Sequence, residues 1–213
     1  LLIQAKVEPP YILVGDSFGS YNMRLYAHQF PEKVVGLVLT DGLHEAGMLK
    51  MPLALQVLKF FFLSGFVMST VGSLLGIVRL LGTIGMFELL KPELRRCSGR
   101  SRQRVKRSFY RPQHWITMGR ELWNLDQSGL EVQRAQDLGD LPIVSIKAGT
   151  FFKRSPWTFY MPIQAADTLR ETMHGELLGL STNCTQLLAK HSSHFVWVDE
   201  PEVILAAIRQ LLG

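Results

Sequence analysis

A chain of 213 residues that is 47% hydrophobic and 19% charged is long enough for one packed domain plus an insertion, which excludes a disordered segment or a small disulfide-stapled fold. Its formal charge of +5 would suggest an anionic partner if evenly spread, but nine basic residues crowd into positions 91–111 and account for it. Cys97 and Cys184 are the only cysteines and stand in no metal-ligand spacing, so two free thiols, no metal and no cofactor are expected.

Residues 1–5 read as the end of an amphipathic helix already under way, with no cap, initiator methionine or signal peptide before them. The expectation is a fragment of a longer protein, intracellular or membrane-associated. Val7-Glu8-Pro9-Pro10 is a breaker, and Tyr11 to Val14 is the first expected strand. It runs into Gly15-Asp16-Ser17-Phe18-Gly19, and a helix over Ser20 to Phe30 follows, stopped by Pro31. Strand, sharp turn and helix around G-x-S-x-G are the layout of a nucleophile elbow. On so tight a turn the serine backbone is strained, and Gly15 and Gly19 are expected to keep clear the space that side chains would fill. The turn lifts the Ser17 hydroxyl above the sheet, and the helix start aims the Phe18 backbone N–H at a developing oxyanion. The competing reading makes Ser17 an ordinary helix-capping serine. The G-D-S-G-G motif of chymotrypsin-like proteases is broken by Phe18, and an all-β setting is lacking.

Val34 to Thr40, VVGLVLT, is an apolar run of strand length, as in a parallel sheet covered on both faces. Asp41 closes it at the edge where open α/β sheets place ligands, or else caps the turn that follows. From 45 to 138 the strand–helix alternation stops. Residues 60–78 carry no charge and reach the length of a membrane span, so a packed cap helix, an interfacial helix and a true span all remain open. A single span would part Ser17 from the C-terminal histidine. The basic residues Lys91, Arg95, Arg96, Arg100, Arg102, Arg104, Lys106, Arg107 and Arg111 face one acid, Glu93. They form either a solvated cap face or a contact with anionic lipid through residues 60–111, and the absence of a groove-reading motif argues against nucleic acid.

Strand signals resume at Leu141 to Ile146, after an acidic linker and ending before Gly149. A loop with Trp157 and Pro162, a helix over 165–180, a strand at Gln186 to Ala189 and a last helix opened by Pro201 complete the chain. The organisation is therefore α/β. Residues 1–44 and 139–213 form the core around a helical cap insertion at 45–138.

His194, in the loop before the last helix, is the expected general base for Ser17, with His191 as its rival. His28, His44, His114 and His174 lack such a context, and surface or cap roles are expected of them. The order Ser, acid, His matches the arrangement of α/β-hydrolases. On ILVGDSFGS, GLVLTD, LPIVSIKAG and HSSHFVWVDEPEVILAAI the chain resembles that superfamily, within it the uncharacterised hydrolases with a G-H-S-F-G-G-Y-N-x-R elbow. Asp16 stands where those have histidine, and Ser20 and Ser193 where they have glycine.

The resemblance implies a partial α/β-hydrolase sheet whose second oxyanion donor comes from an upstream half, and a serine hydrolase acting on an ester, thioester or amide. The phenylalanine-rich insertion suggests an apolar acyl group as the small-molecule substrate. The acid is expected after the strand ending at Asp41, or after the one ending near Gly149. Asp41 ranks above Asp167, which falls in a predicted helix, as the group orienting His194. An acid at position 16 is electrostatically awkward beside an oxyanion. The alternative is therefore a catalytically impaired hydrolase-fold protein that binds a ligand or partner.

Overall fold

The computed structural model describes residues 2, 4–90, 94–95, 98–152 and 161–213, except for the side chain of residue 90. Four strands, β1 (Tyr11–Asp16), β2 (Val34–Thr40), β3 (Ile143–Ala148) and β4 (Cys184–Ala189), lie in chain order in one parallel sheet. The helices are α1 (Gly19–Gln29), α2 (Glu45–Met48), α3 (Leu53–Leu74), α4 (Ile77–Thr83), α5 (Met86–Leu90), α6 (Gly99–Phe109), α7 (Pro112–Trp123), α8 (Leu125–Val132), α9 (Ile163–Leu178), α10 (Val196–Asp199) and α11 (Pro201–Leu212). The expected α/β class is what the chain adopts. β2 has the bounds that its apolar run predicts, whereas β1, β3 and β4 each extend two residues beyond an expected end.

Parallel strands bury both faces, so side-chain alternation sorts the apolar residues into two cores. Leu37, Leu39 and Ile143 pack with Ala27 of α1 and Leu177 of α9 on one face. Val38, Val144, Ile146 and Ala148 pack with Val196 of α10 and Ala207 of α11 on the other. Removing each such Leu, Ile or Val from water contributes about 1.5–3 kcal/mol. Asp16 lies opposite Thr40, Thr40 opposite Ile146, and Ile146 opposite Leu187, so the carboxyl ends of all four strands come together at one edge. That edge carries the candidate site.

The chain divides into two compact units, one of residues 1–52 with 126–213 and one of residues 53–125. Residues 45–52 and 126–138, which composition alone assigns to the insertion, thus belong to the sheet unit. The reason is a buried ion pair invisible to hydrophobic patterning. Arg24 of α1 holds Glu45 of α2 through two hydrogen bonds, at 2.7 and 3.0 Å, and also donates to the Ala135 carbonyl after α8 at 3.2 Å. Both side chains are fully buried. Burial alone would raise the Glu45 pKa, but hydrogen bonds and charge from Arg24 outweigh it and hold the carboxyl below its ordinary value.

In the second unit α3 packs along α7, with Phe66 against Trp115 and a cluster of Phe87, Phe109, His114 and Trp115 beyond. Trp115 Nε1 donates to the Phe109 carbonyl at 2.8 Å. The uncharged run 60–78 is not one element: α3 ends at Leu74, Gly76 turns with φ +76°, and α4 begins at Ile77. Only Leu55 and Gly72 of α3 are buried. Leu1 and Ile3, Lys91, Glu93, Arg96 and Cys97, and Trp157 fall outside the described residues, as does part of the helix end expected at 1–5. The described thiol, Cys184, is free, and burial pushes its pKa up to about 11.

Candidate active site

β1 delivers its last residue, Asp16, directly into the turn, and Ser17 adopts φ +52°, a left-handed conformation that costs a non-glycine residue on the order of 1 kcal/mol or more. Backbone bonds hold it there. The Ser17 N–H donates to Thr40 O at 2.9 Å, and Ser17 O accepts from Ser20 N and Leu43 N. Gly15 is required sterically: a Cβ there would lie 2.7 Å from the Gly19 carbonyl oxygen and 2.8 Å from Met23 Cγ. Gly19 differs from the expectation, since a Cβ on it would meet nothing within 4 Å. It is the Gly19 backbone that crowds Gly15, and nothing in the structure explains why position 19 itself is glycine. The Phe18 N–H, at the start of α1, meets no acceptor among the described residues and is available to an oxyanion.

His194 reaches this turn from the loop after β4. Its Nε2 lies 2.9 Å from Ser17 Oγ, and its Nδ1 lies 2.6 Å from Asp41 Oδ2. An ionised carboxylate only accepts, so Nδ1 carries the proton and Nε2 is left to accept from the serine hydroxyl. The structure thus brings together Ser17, His194 and Asp41, which are far apart in the chain. Asp167 is elsewhere. It accepts from Phe151 N at 2.9 Å, from the Thr150 hydroxyl at 3.2 Å and from Arg170 at 3.1 Å, so it shapes the loop after β3 rather than contacting the imidazole. Phe151 in turn supports His194, with ring centroids 4.6 Å apart and its carbonyl accepting from His194 N at 3.3 Å.

Asp41 is almost fully buried and has φ +42°. Its Oδ1 accepts from Ala148 N and His174 Nε2, each at 3.1 Å, and from the Arg170 guanidinium. Burial would raise its pKa, but hydrogen bonds from His174 and His194 and the charge of Arg170 dominate and hold it well below the carboxylate range. Arg170 and His174 are the residues that sequence reading misses. His174 is a core residue, contrary to the surface or cap role expected of it, and its Nδ1 lies 3.4 Å from Ser145 Oγ. A signal existed, because Asp167, Arg170 and His174 lie at i, i+3 and i+7 of one predicted helix.

The other histidines take no part in the contact with Ser17. His191 is exposed, and its backbone N–H donates to Glu200 at 2.8 Å. His28 is exposed, His114 lies 3.2 Å from Ser108 Oγ, and His44 is buried at the start of α2, where loss of water lowers its pKa. Ser193 ties the histidine loop to α10: its N–H and hydroxyl both donate to Asp199 Oδ2, at 3.0 and 2.7 Å. Ser20, buried at the start of α1, joins the loop after Asp41 through Leu43 N and O, both at 3.0 Å. Gly149 is needed under the histidine loop, since a Cβ on it would fall 2.3 Å from the Lys190 carbonyl oxygen.

Asp16 places a second carboxyl immediately before Ser17. Crowding by protein atoms pushes its carboxyl up to about 6, with His194 opposing and Asp41 reinforcing the shift. Much of the residue surface is nevertheless open to solvent, which screens that effect. A cleft between α2 and α9, lined by Ala46, Gly47, Lys50 and Thr168, holds none of the three site residues. Among the described residues no group of three His, Cys, Asp or Glu side chains is arranged to hold a metal ion.

The four-stranded parallel sheet and its flanking helices define an α/β architecture, and comparison with solved structures agrees on the fold. A proposed acyltransferase from Salmonella enterica superposes with TM-score 0.64 at 14% identity, covering 99% of this chain and 66% of that one. Cfl2 from Burkholderia cenocepacia gives 0.61 at 16% identity, over 100% and 68% of the two chains. The Bacillus megaterium epoxide hydrolase, solved with an inhibitor, gives 0.55 at 13%, over 99% and 72%. The chain therefore has the α/β-hydrolase fold. It spans about two thirds of the length of the solved chains it matches. No family model matches it, and no curated protein does.

Proposed function

We propose that the protein is a serine hydrolase of an ester, thioester or amide bearing an apolar acyl group, working through an acyl-Ser17 intermediate. The observation that carries this reading is the continuous hydrogen-bond chain from Asp41 through His194 to the hydroxyl of Ser17 on its left-handed turn. His194 Nε2 takes the Ser17 proton as Oγ attacks the acyl carbonyl, and the Phe18 N–H meets the oxygen as it gains charge. The imidazolium, stabilised by Asp41, then protonates the leaving alcohol, thiol or amine. Water, deprotonated by the same imidazole, attacks the acyl-serine, and the acid and Ser17 are released. The apolar acyl preference rests on Phe151 and Phe195 beside His194 and on the composition of the insertion.

The test is stopped-flow hydrolysis of p-nitrophenyl esters of increasing chain length. A burst of one p-nitrophenol per chain, lost in Ser17→Ala, is expected; turnover that persists in Ser17→Ala would overturn the assignment. A second reading, ligand binding without turnover, is favoured by Asp16, whose negative charge beside the nucleophile opposes that of the oxyanion. It predicts no burst with any ester and an unchanged ligand affinity in Ser17→Ala.

A further inference from the structure

α3 is an apolar helix of 22 residues with only two of them buried. Its exposed residues are not scattered. Val57, Phe60, Phe61, Val67, Met68 and Val71 recur at spacings of three, four and seven, with exposed Ser64 between the two groups, and are 50–74% exposed. Ile77 and Leu80 of α4 and Ile84 just beyond it are exposed apolar residues of the same unit. A stripe of this size left to water is a standing cost, and its presence marks a surface that is covered in use.

The same unit carries a second pattern. On α6 and just beyond it, Arg100, Arg104, Arg107 and Arg111 recur at i, i+4, i+7 and i+11, all exposed. Among the described residues none of the four is paired with a carboxylate, whereas Lys106, half-buried on the same helix, holds Glu88 at 2.7 Å. The apolar and basic elements are mechanically joined. α6 contacts α4 and α7, α7 lies along α3, and Ser73 near the end of α3 reaches the Phe109 carbonyl at the end of α6.

We propose that this unit docks on the surface of a bilayer containing anionic phospholipid, with the α3 stripe seated at the boundary of headgroups and acyl chains and the α6 arginines held by headgroup charge. Apolar contact alone would fit a second copy of the chain equally well. Four exposed arginines on each copy, with no carboxylate partner among the described residues, oppose that pairing and favour an anionic surface. Spanning is also disfavoured. At about 33 Å α3 is long enough to cross, but its inner face is packed on α7, which carries exposed Arg120 and Glu121 and would have to enter the hydrocarbon with it. An amphipathic unit with one apolar face and one charged partner helix lies in the interface instead. The inference does not rest on the serine hydrolase reading.

Flotation of the chain with vesicles of phosphatidylcholine, alone or mixed with phosphatidylglycerol, tests it at low and high salt. Binding is expected only to the mixed vesicles, and salt should weaken it. Neutralising Arg100, Arg104, Arg107 and Arg111 to Gln should lower partitioning by about fivefold per residue, or several hundredfold together. A Phe60→Ser, Phe61→Ser, Met68→Ser variant should also bind more weakly while keeping its salt dependence. Ser17→Ala should float as the unaltered chain does. All substituted side chains are surface groups, and circular dichroism melts verify that the variants fold. Absence of flotation with either vesicle, equal binding to pure phosphatidylcholine, retention through alkaline carbonate extraction, or a concentration-dependent dimer that hides the stripe would each overturn the proposal.

Discussion

β2 and α3 are both apolar runs, and they meet opposite fates. β2 is buried at every position but Val35, flanked by β1 and β3 and covered by helices on both faces. α3 is packed along one side and leaves a stripe of large side chains in water. The sheet unit buries charge as well as hydrocarbon, in the Arg24–Glu45 pair and around Asp41, whereas the insertion exposes Arg100, Arg104, Arg107 and Arg111. Hydrophobicity thus measures how much surface seeks cover. Topology decides whether the chain itself supplies it.

Substitutions at matched sites in the two units separate these roles, beginning with catalysis. Asp41→Asn would leave the His194 tautomer wrong and is expected to lower kcat/KM by about 10⁴-fold. The neutralised α6 arginines should leave hydrolysis of a soluble ester essentially unchanged. Comparable losses from both would break the division. Stability gives the next largest contrast. Arg24→Ala strands a fully buried Glu45 and should cost about 3–5 kcal/mol in urea unfolding, while Phe61→Ala should stay within about 0.5 kcal/mol.

Acid sensitivity follows from Asp41. Its pKa is lowered by folding, so its contribution is present above the ordinary carboxylate value and disappears as pH falls from there toward the native-state value. Melting temperature should drop below about pH 4, and less steeply in Asp41→Asn. Asp16 has the opposite sign. With a folded pKa raised to about 6, its contribution is full below the ordinary carboxylate pKa and diminishes as pH rises to about 6. Asp16→Asn should therefore stabilise the chain slightly above pH 6 and raise kcat/KM there by a few-fold, of order 1 kcal/mol or less for a partly solvated charge. A lower kcat/KM in that variant would give Asp16 a positive role.

What could be read in advance was local. Gly15, Ser17 and Gly19 form a contiguous turn signal, VVGLVLT gives a strand with its limits, and His194 precedes a proline-led helix. Asp41 was legible because it ends a strand at the edge that holds Ser17. The support around it was not, since Arg170 and His174 meet Asp41 across 129 and 133 residues, and no pattern within one helix states which carboxylate it faces. The Arg24–Glu45 pair is hidden likewise, which is why the composition break at 45 does not coincide with the edge of the sheet unit. Whether the apolar run was covered also lay beyond the sequence, because packed and exposed apolar helices share one composition.

The central claim is that Ser17 is the nucleophile and His194 its base. Treating the chain with a fluorophosphonate and mapping the adduct by peptide mass spectrometry tests it most directly. The account predicts one phosphonyl group on Ser17, absent in Ser17→Ala and formed orders of magnitude more slowly in His194→Ala. An adduct on another residue, or labelling undiminished by either substitution, would contradict it.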